Sequence, residues 1–125
     1  MAEEKIGHTI IGAAIKIHST LGPGLLESAY ETCLVYELEK LRLRVQRQVC
    51  IPLRYEGLVV DNGYRLDLLV ENCVVVELKS IEQVLPVHRG QVLSYLRLGG
   101  FKLGYLLNFN VPLMRDGITR LVNGL

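Results

Sequence analysis

The stretch that most constrains the fold is residues 65–79, RLDLLVENCVVVELK. Side chains on a β-strand alternate between faces, so a half-buried hairpin writes its register into its apolar pattern. With a three-residue connection from Glu71 to Cys73, Val70 faces Val74, Leu68 faces Val76 and Leu66 faces Leu78. That face is wholly apolar, and a slip of one residue would mix the two faces. The same register sets Asp67 opposite Glu77, with Lys79 two residues on and pointing the same way. Cross-strand neighbours stand about 4.5–5.5 Å apart at Cβ, and like charges there repel. Two carboxylates so placed call for a compensating charge. Lys79 supplies one, and a hard divalent cation such as Mg²⁺, which favours carboxylate oxygen, supplies the rest. The plain alternative is a solvated salt-bridge face, but Leu69 and Val75 share that side and point to partial cover.

Helical period governs the start of the chain. Ile6, Ile10, Ala13/Ala14 and Ile17 recur at three- and four-residue steps, predicting a helix over 4–19. Leu21-Gly22-Pro23-Gly24 ends it. A second helix is expected over 25–41, with Leu26, Ala29, Tyr30, Cys33, Leu34, Leu38 and Leu41 as its apolar stripe. From Val45 the period becomes two, giving a strand over 45–55 in which Pro52 marks an edge or an end. Glu56-Gly57 reads as a turn, Leu58-Val59-Val60 as the start of a return, and Asp61-Asn62-Gly63 as a second turn. Strands follow at 64–70 and 74–80, a helix at 87–98 capped by Gly99-Gly100, and a buried strand over 102–109. After a turn at Asp116-Gly117, residues 118–122 form a short strand or helical turn. The order α-α-β-β-β-α-β predicts one domain over 1–125: a sheet covered by helices, in the α/β or α+β class.

Composition narrows the function. The chain has 125 residues, of which 50% are hydrophobic and 22% charged, which excludes a disordered or low-complexity protein. Lys plus Arg is 14 against 13 for Asp plus Glu, a net charge of +1 that excludes a globally cationic nucleic-acid binder but not a local basic patch. No apolar run approaches the roughly 20 residues of a membrane helix. The start, Met1-Ala2-Glu3-Glu4-Lys5, is wrong for a signal peptide, so the cytoplasm is the expected compartment. Cys33, Cys50 and Cys73 are far apart and read as small core residues rather than as zinc ligands or a disulfide framework.

Two further signals lie outside the hairpin. Gln91 and Tyr95 are four apart and share one helix face. Glu27 lies near a helix start, where the dipole favours negative charge. Each has an ordinary structural explanation. Together with their surroundings they are specific. Residues 17–24, IHSTLGPG, continue into Gly24-Leu25-Leu26-Glu27-Ser28-Ala29-Tyr30. That block resembles the signature of the bacterial and archaeal GxxExxY protein family. Residues 65–68, 76–79, 91–96, 107–110 and 116–120 are similar to that family's later blocks, in order along nearly the whole chain.

The family is placed in the PD-(D/E)XK nuclease superfamily. The resemblance therefore implies a restriction-endonuclease-like αβββαβ core, a central mixed sheet flanked by helices. It implies that Asp67 is the metal-binding aspartate, that Glu77 and Lys79 are the (D/E)XK pair, and that Glu27 is the acidic residue of the first core helix. Gln91 and Tyr95 match the QxxxY helix of RecB-like members. Leu66 stands where the superfamily name expects Pro, which shapes only the backbone.

The expected activity is Mg²⁺-dependent hydrolysis of DNA phosphodiesters, with Mn²⁺ as a substitute metal. Glu27, Asp67 and Glu77 would hold the metal, and Lys79 would reduce their three negative charges to two, matching one divalent cation. Lys79 would also orient or deprotonate the attacking water, and Gln91 would position that water or a phosphate oxygen. Lys16, Arg65, Arg89 and Arg97 are the candidate phosphate contacts, with Arg47 a weaker one, and His18 is read as a structural hydrogen bonder. The modest charge suggests that a second copy or a protein partner helps grip a duplex. The alternative is a catalytically silent module of nuclease fold that binds nucleic acid or protein.

Overall fold

The structure is a computed structural model that describes residues 2–125. Helices α1 (Ala2–Leu21) and α2 (Glu27–Lys40) come first. Strands β1 (Val45–Tyr55), β2 (Leu58–Val70) and β3 (Val74–Lys79) follow, then helix α3 (Pro86–Gly99) and strand β4 (Leu103–Asn108). A single 3-10 turn (Met114–Gly117) leads into β5 (Ile118–Val122). The five strands form one sheet in chain order. β3 and β4 run parallel, joined through α3, and every other pair is antiparallel. The expected mixed sheet flanked by helices is therefore present.

The two faces of the sheet carry separate cores. Ile10, Ala14 and Ile17 of α1 and Leu34 and Leu38 of α2 pack on Leu68, Val70, Val74, Val76 and Leu78. On the other face Val92 and Leu96 of α3 pack on Leu66, Leu69, Val75 and Leu106. β3 and β4 are thus covered on both sides, which explains why they read as apolar runs rather than as alternation. Each fully buried Leu or Val contributes about 1.5–3 kcal/mol. α1 lies close against the sheet because Gly7 leaves room for the Tyr105 hydroxyl, which a Cβ would overlap. No helix among the described residues is long and apolar enough to cross a membrane.

Four expectations need correction. Asp61-Asn62-Gly63 does not turn the chain; it lies inside β2, opposite Pro52, where the register shifts between Ile51↔Tyr64 and Leu53↔Val60. Pro52 has no N–H to give to a ladder, so the partner strand loops past it, and Gly63 is pressed against Leu53, where a Cβ would collide. The hairpin turns at Glu56-Gly57, as expected, with both residues at positive φ (48° and 85°). Leu66 does not share a face with Leu68 and Leu78; it belongs to the α3-side core. Cys50 is exposed on the edge strand, whereas Cys33 and Cys73 pack against the α1/α2 core as expected. Helix α2 begins at Glu27, because Leu26 is still extended, with ψ 151°. β1 and β2 also outrun the six-residue β3, so their tip stands beyond the end of β3 where Lys79 lies.

Candidate active site

The predicted β2–β3 register is observed: Val70↔Val74, Leu69↔Val75 and Leu68↔Val76. One step further, backbone pairing gives way to side chains. The Asp67 N–H donates to Glu77 Oε1 at 3.1 Å, and the Leu78 N–H donates to Asp67 Oδ2 at 2.9 Å. Each carboxylate thus takes a ladder bond from the opposite strand and wedges the strands apart. β3 stays in register with β4 through Lys79↔Asn108, so the opening lies wholly on the β2 side. Glu77 is only 5% exposed. Burial, and then the charge of Asp67 beside it, push its carboxyl up to about 8, with Lys79 pulling the other way.

Glu27 reaches the site from the first turn of α2, where its carboxylate accepts the Ser80 N–H at 3.3 Å. The loop before it is fastened by Tyr30, whose hydroxyl donates to Gly22 O at 2.5 Å and accepts the Leu25 N–H at 3.2 Å. Ser80 Oγ then donates to Leu25 O at 2.7 Å, tying the end of β3 to that loop. Gly22 and Gly24, at φ 71° and 98°, supply backbone that other residues adopt with difficulty. An open groove here is lined by Glu27, Arg65, Asp67, Leu78 and Ser80.

On the other side of β3, a second groove at the start of α3 is lined by Lys79, His88, Gln91 and Ser94. The Tyr95 hydroxyl is pushed up by burial and by the nearby charge of Glu77, which places the QxxxY helix beside the carboxylate pair. Tyr95 stacks on Tyr64 with ring centroids 4.8 Å apart. Asp67, Glu77, Lys79, Gln91 and Tyr95 are therefore gathered at one end of β3, with Glu27 across the groove from Asp67.

Among the described residues, no three His, Cys, Asp or Glu side chains are placed to share one cation. The chemistry of the donor set still fits a divalent metal. Two hard carboxylates crowd one point, one of them buried and strained toward protonation, and a cation relieves both conditions.

The basic residues divide. Arg65 is exposed and lines the Glu27/Asp67 groove. Arg89 and Arg97 are exposed on α3, Arg97 bonding Ser94 Oγ at 3.3 Å. Lys16 is instead paired with Glu37 between α1 and α2 at 2.7 Å, and Arg47 with Glu31 at 3.0 Å. His18 Nε2 bonds Val111 O at 2.7 Å, a structural role. His88 Nδ1 accepts the Leu85 N–H at 2.9 Å and so caps α3.

Two buried polar side chains beside the site had no role assigned from the sequence. Asn108 is 2% exposed; its amide accepts from Ile81 N and Asn110 N and donates to Ile81 O, fixing the segment after Ser80. Glu31 is buried beside the groove. Its place four residues after Glu27, hence on the same helix face, was the available signal.

With this geometry in hand, comparison with known families is direct. A family model described as the PD-(D/E)XK nuclease superfamily matches residues 4–121, and the chain belongs to that superfamily. Members are mostly nucleases and generally use divalent metals such as Mg²⁺. No curated protein and no solved structure matches the chain.

Proposed function

We propose that the chain is a single nuclease-like domain of the GxxExxY type that hydrolyses DNA phosphodiesters with a divalent metal, Mg²⁺ or Mn²⁺. The observation that carries this reading is the Asp67–Glu77 pair wedged into the sheet beside Lys79. Asp67 and Glu77 are the ligands, and Glu27 lines the opposite wall of the groove, from which it would have to shift to join them. A divalent ion there would polarise the phosphodiester and lower the pKa of a bound water. Lys79 offsets charge that develops on the phosphorane. Gln91 orients a water or phosphate oxygen, and Tyr95 packs behind Glu77. Arg65, Arg89 and Arg97 hold the flanking phosphates. The proposed setting is the cytoplasm, and a net charge of +1 supports the reading that a second copy or protein partner adds grip.

The test incubates plasmid and single-stranded DNA with the protein and Mg²⁺ or Mn²⁺, beside Glu77→Ala and Lys79→Ala. The expected result is cutting that stops with a chelator and falls at least about 100-fold in both variants. Equal cutting by all three proteins would assign the activity elsewhere. One observation favours a second reading, a silent nucleic-acid-binding module: one oxygen of each carboxylate is already engaged by a backbone N–H. That reading predicts DNA binding that no metal converts to cleavage.

A further inference from the structure

Glu31 bonds two consecutive residues of β1. Arg47 Nε donates to its Oε2 at 3.1 Å, the Arg47 Nη2 lies 3.0 Å from the same oxygen as an ion pair while donating to Thr32 Oγ1 at 3.2 Å, and Gln48 Nε2 donates to its Oε1 at 2.8 Å. Neighbouring residues of a regular strand point to opposite faces, so one carboxylate on α2 cannot hold both. The chain resolves this with a kink: Gln48 has φ 51°, a left-handed conformation uncommon for glutamine. After the kink the faces exchange. Arg47 points to α2, while Val49 packs in the α3-side core.

The partner strand kinks at the same level. Arg47 pairs with Leu68 and Val49 with Leu66, so Asp67 lies between these rungs, as Gln48 does. Leu66 and Leu68 are two apart and would share a face in a regular strand, yet they lie in opposite cores. The face change in β2 therefore falls at Asp67. It brings the Asp67 carboxylate to the groove that Glu27 lines, with Gln48 and Glu31 in its wall.

We infer that Glu31 is a positioning residue for the candidate site: by clamping Arg47 and Gln48 it holds the left-handed residue that turns Asp67 toward Glu27 and Leu78. Glu31 acts through the backbone and needs no contact with metal or substrate. This deepens the proposed nuclease reading, but the strand geometry it concerns exists without any metal.

The test is native-state amide hydrogen exchange on the full chain, together with Mn²⁺ titration followed by calorimetry. In Glu31→Ala the Asp67 and Leu78 amides, which are bonded to carboxylates, lose about tenfold protection, while Leu69 and Val75 amides keep theirs. Mn²⁺ affinity falls by about tenfold, as for loss of an outer-shell partner. Adding Gln48→Gly to Glu31→Ala restores most of both, because glycine adopts φ 51° without strain. Should Glu31→Ala fail to fold, Glu31→Gln, which keeps one acceptor, is read in its place with a smaller loss. Unchanged protection at Asp67 and Leu78, or a double variant as poor as the single one, overturns the inference. A wild-type protein that takes up no Mn²⁺ counts against the metal reading alone, and the exchange data still decide the role of Glu31.

Discussion

At the scale of single residues, Glu77 sets the pH behaviour. Its folded carboxyl titrates near 8 against an ordinary 4.5. Between those values the folded state keeps a proton that the unfolded chain releases, so this group lowers stability as pH rises from about 4.5 toward 8. Glu77→Gln keeps an oxygen for the Asp67 N–H and removes the penalty. In metal-free protein it should raise the melting temperature by several degrees at pH 8.5 and change nothing at pH 4, as read by calorimetry across pH. A wild-type protein whose stability is flat over that range would refute the assignment. The basic residues give a second contrast. Lys16 is held by Glu37, whereas Arg65 opens onto the groove. Arg65→Ala should therefore weaken DNA binding by about tenfold and reduce its salt dependence by about one ion, while Lys16→Ala leaves both nearly unchanged in a fluorescence titration.

At the scale of elements, the loop between α1 and α2 is a part made by one hydroxyl. Tyr30→Phe removes both the bond to Gly22 O and the acceptor for Leu25 N–H. It should cost about 1–2 kcal/mol in denaturant unfolding and slow cleavage further by loosening Glu27. The strands show how much the sequence disclosed. The hairpin from β2 to β3 was legible because Val70, Val74, Leu68 and Val76 state their faces plainly, and Asp67 and Glu77 followed from that register. The kink was not legible. Left-handed backbone is announced by Gly or Asn, and here it falls on Gln48, held there by tertiary bonds from α2. A regular strand would put Leu66 on the side of Leu68, whereas the kink sends it to the α3-side core. Asp61-Asn62-Gly63 has turn chemistry, but it serves a detour around Pro52. Gly63→Ala tests that detour; the new methyl meets Leu53, and a loss of about 1–3 kcal/mol is expected in the same unfolding assay.

For the whole molecule, the candidate site gathers residues from both layers: Glu27 from the α1/α2 side, Gln91 and Tyr95 from the α3 side, and the carboxylates from the sheet between them. A cation that binds only this assembled state stabilises it by mass action. At about 100 times its Kd the gain is about 2.7 kcal/mol, and it should shrink in Glu77→Ala. The Mg²⁺-induced rise in melting temperature should also grow from pH 6 to pH 8, because the ion favours the deprotonated form of Glu77.

β3 is paired with β4 along the whole of Val74–Lys79 and with β2 over Val74–Val76, and it is covered on both faces. Such a strand exchanges with solvent only when everything around it has already come undone. Glu77 and Lys79 are thus mounted on the portion of the protein that surrenders last, while Glu27 and Gln91 ride on helix beginnings that can breathe. Loss of function on heating should accordingly begin at the periphery, with catalytic turnover fading a few degrees before the anvil beneath it gives way.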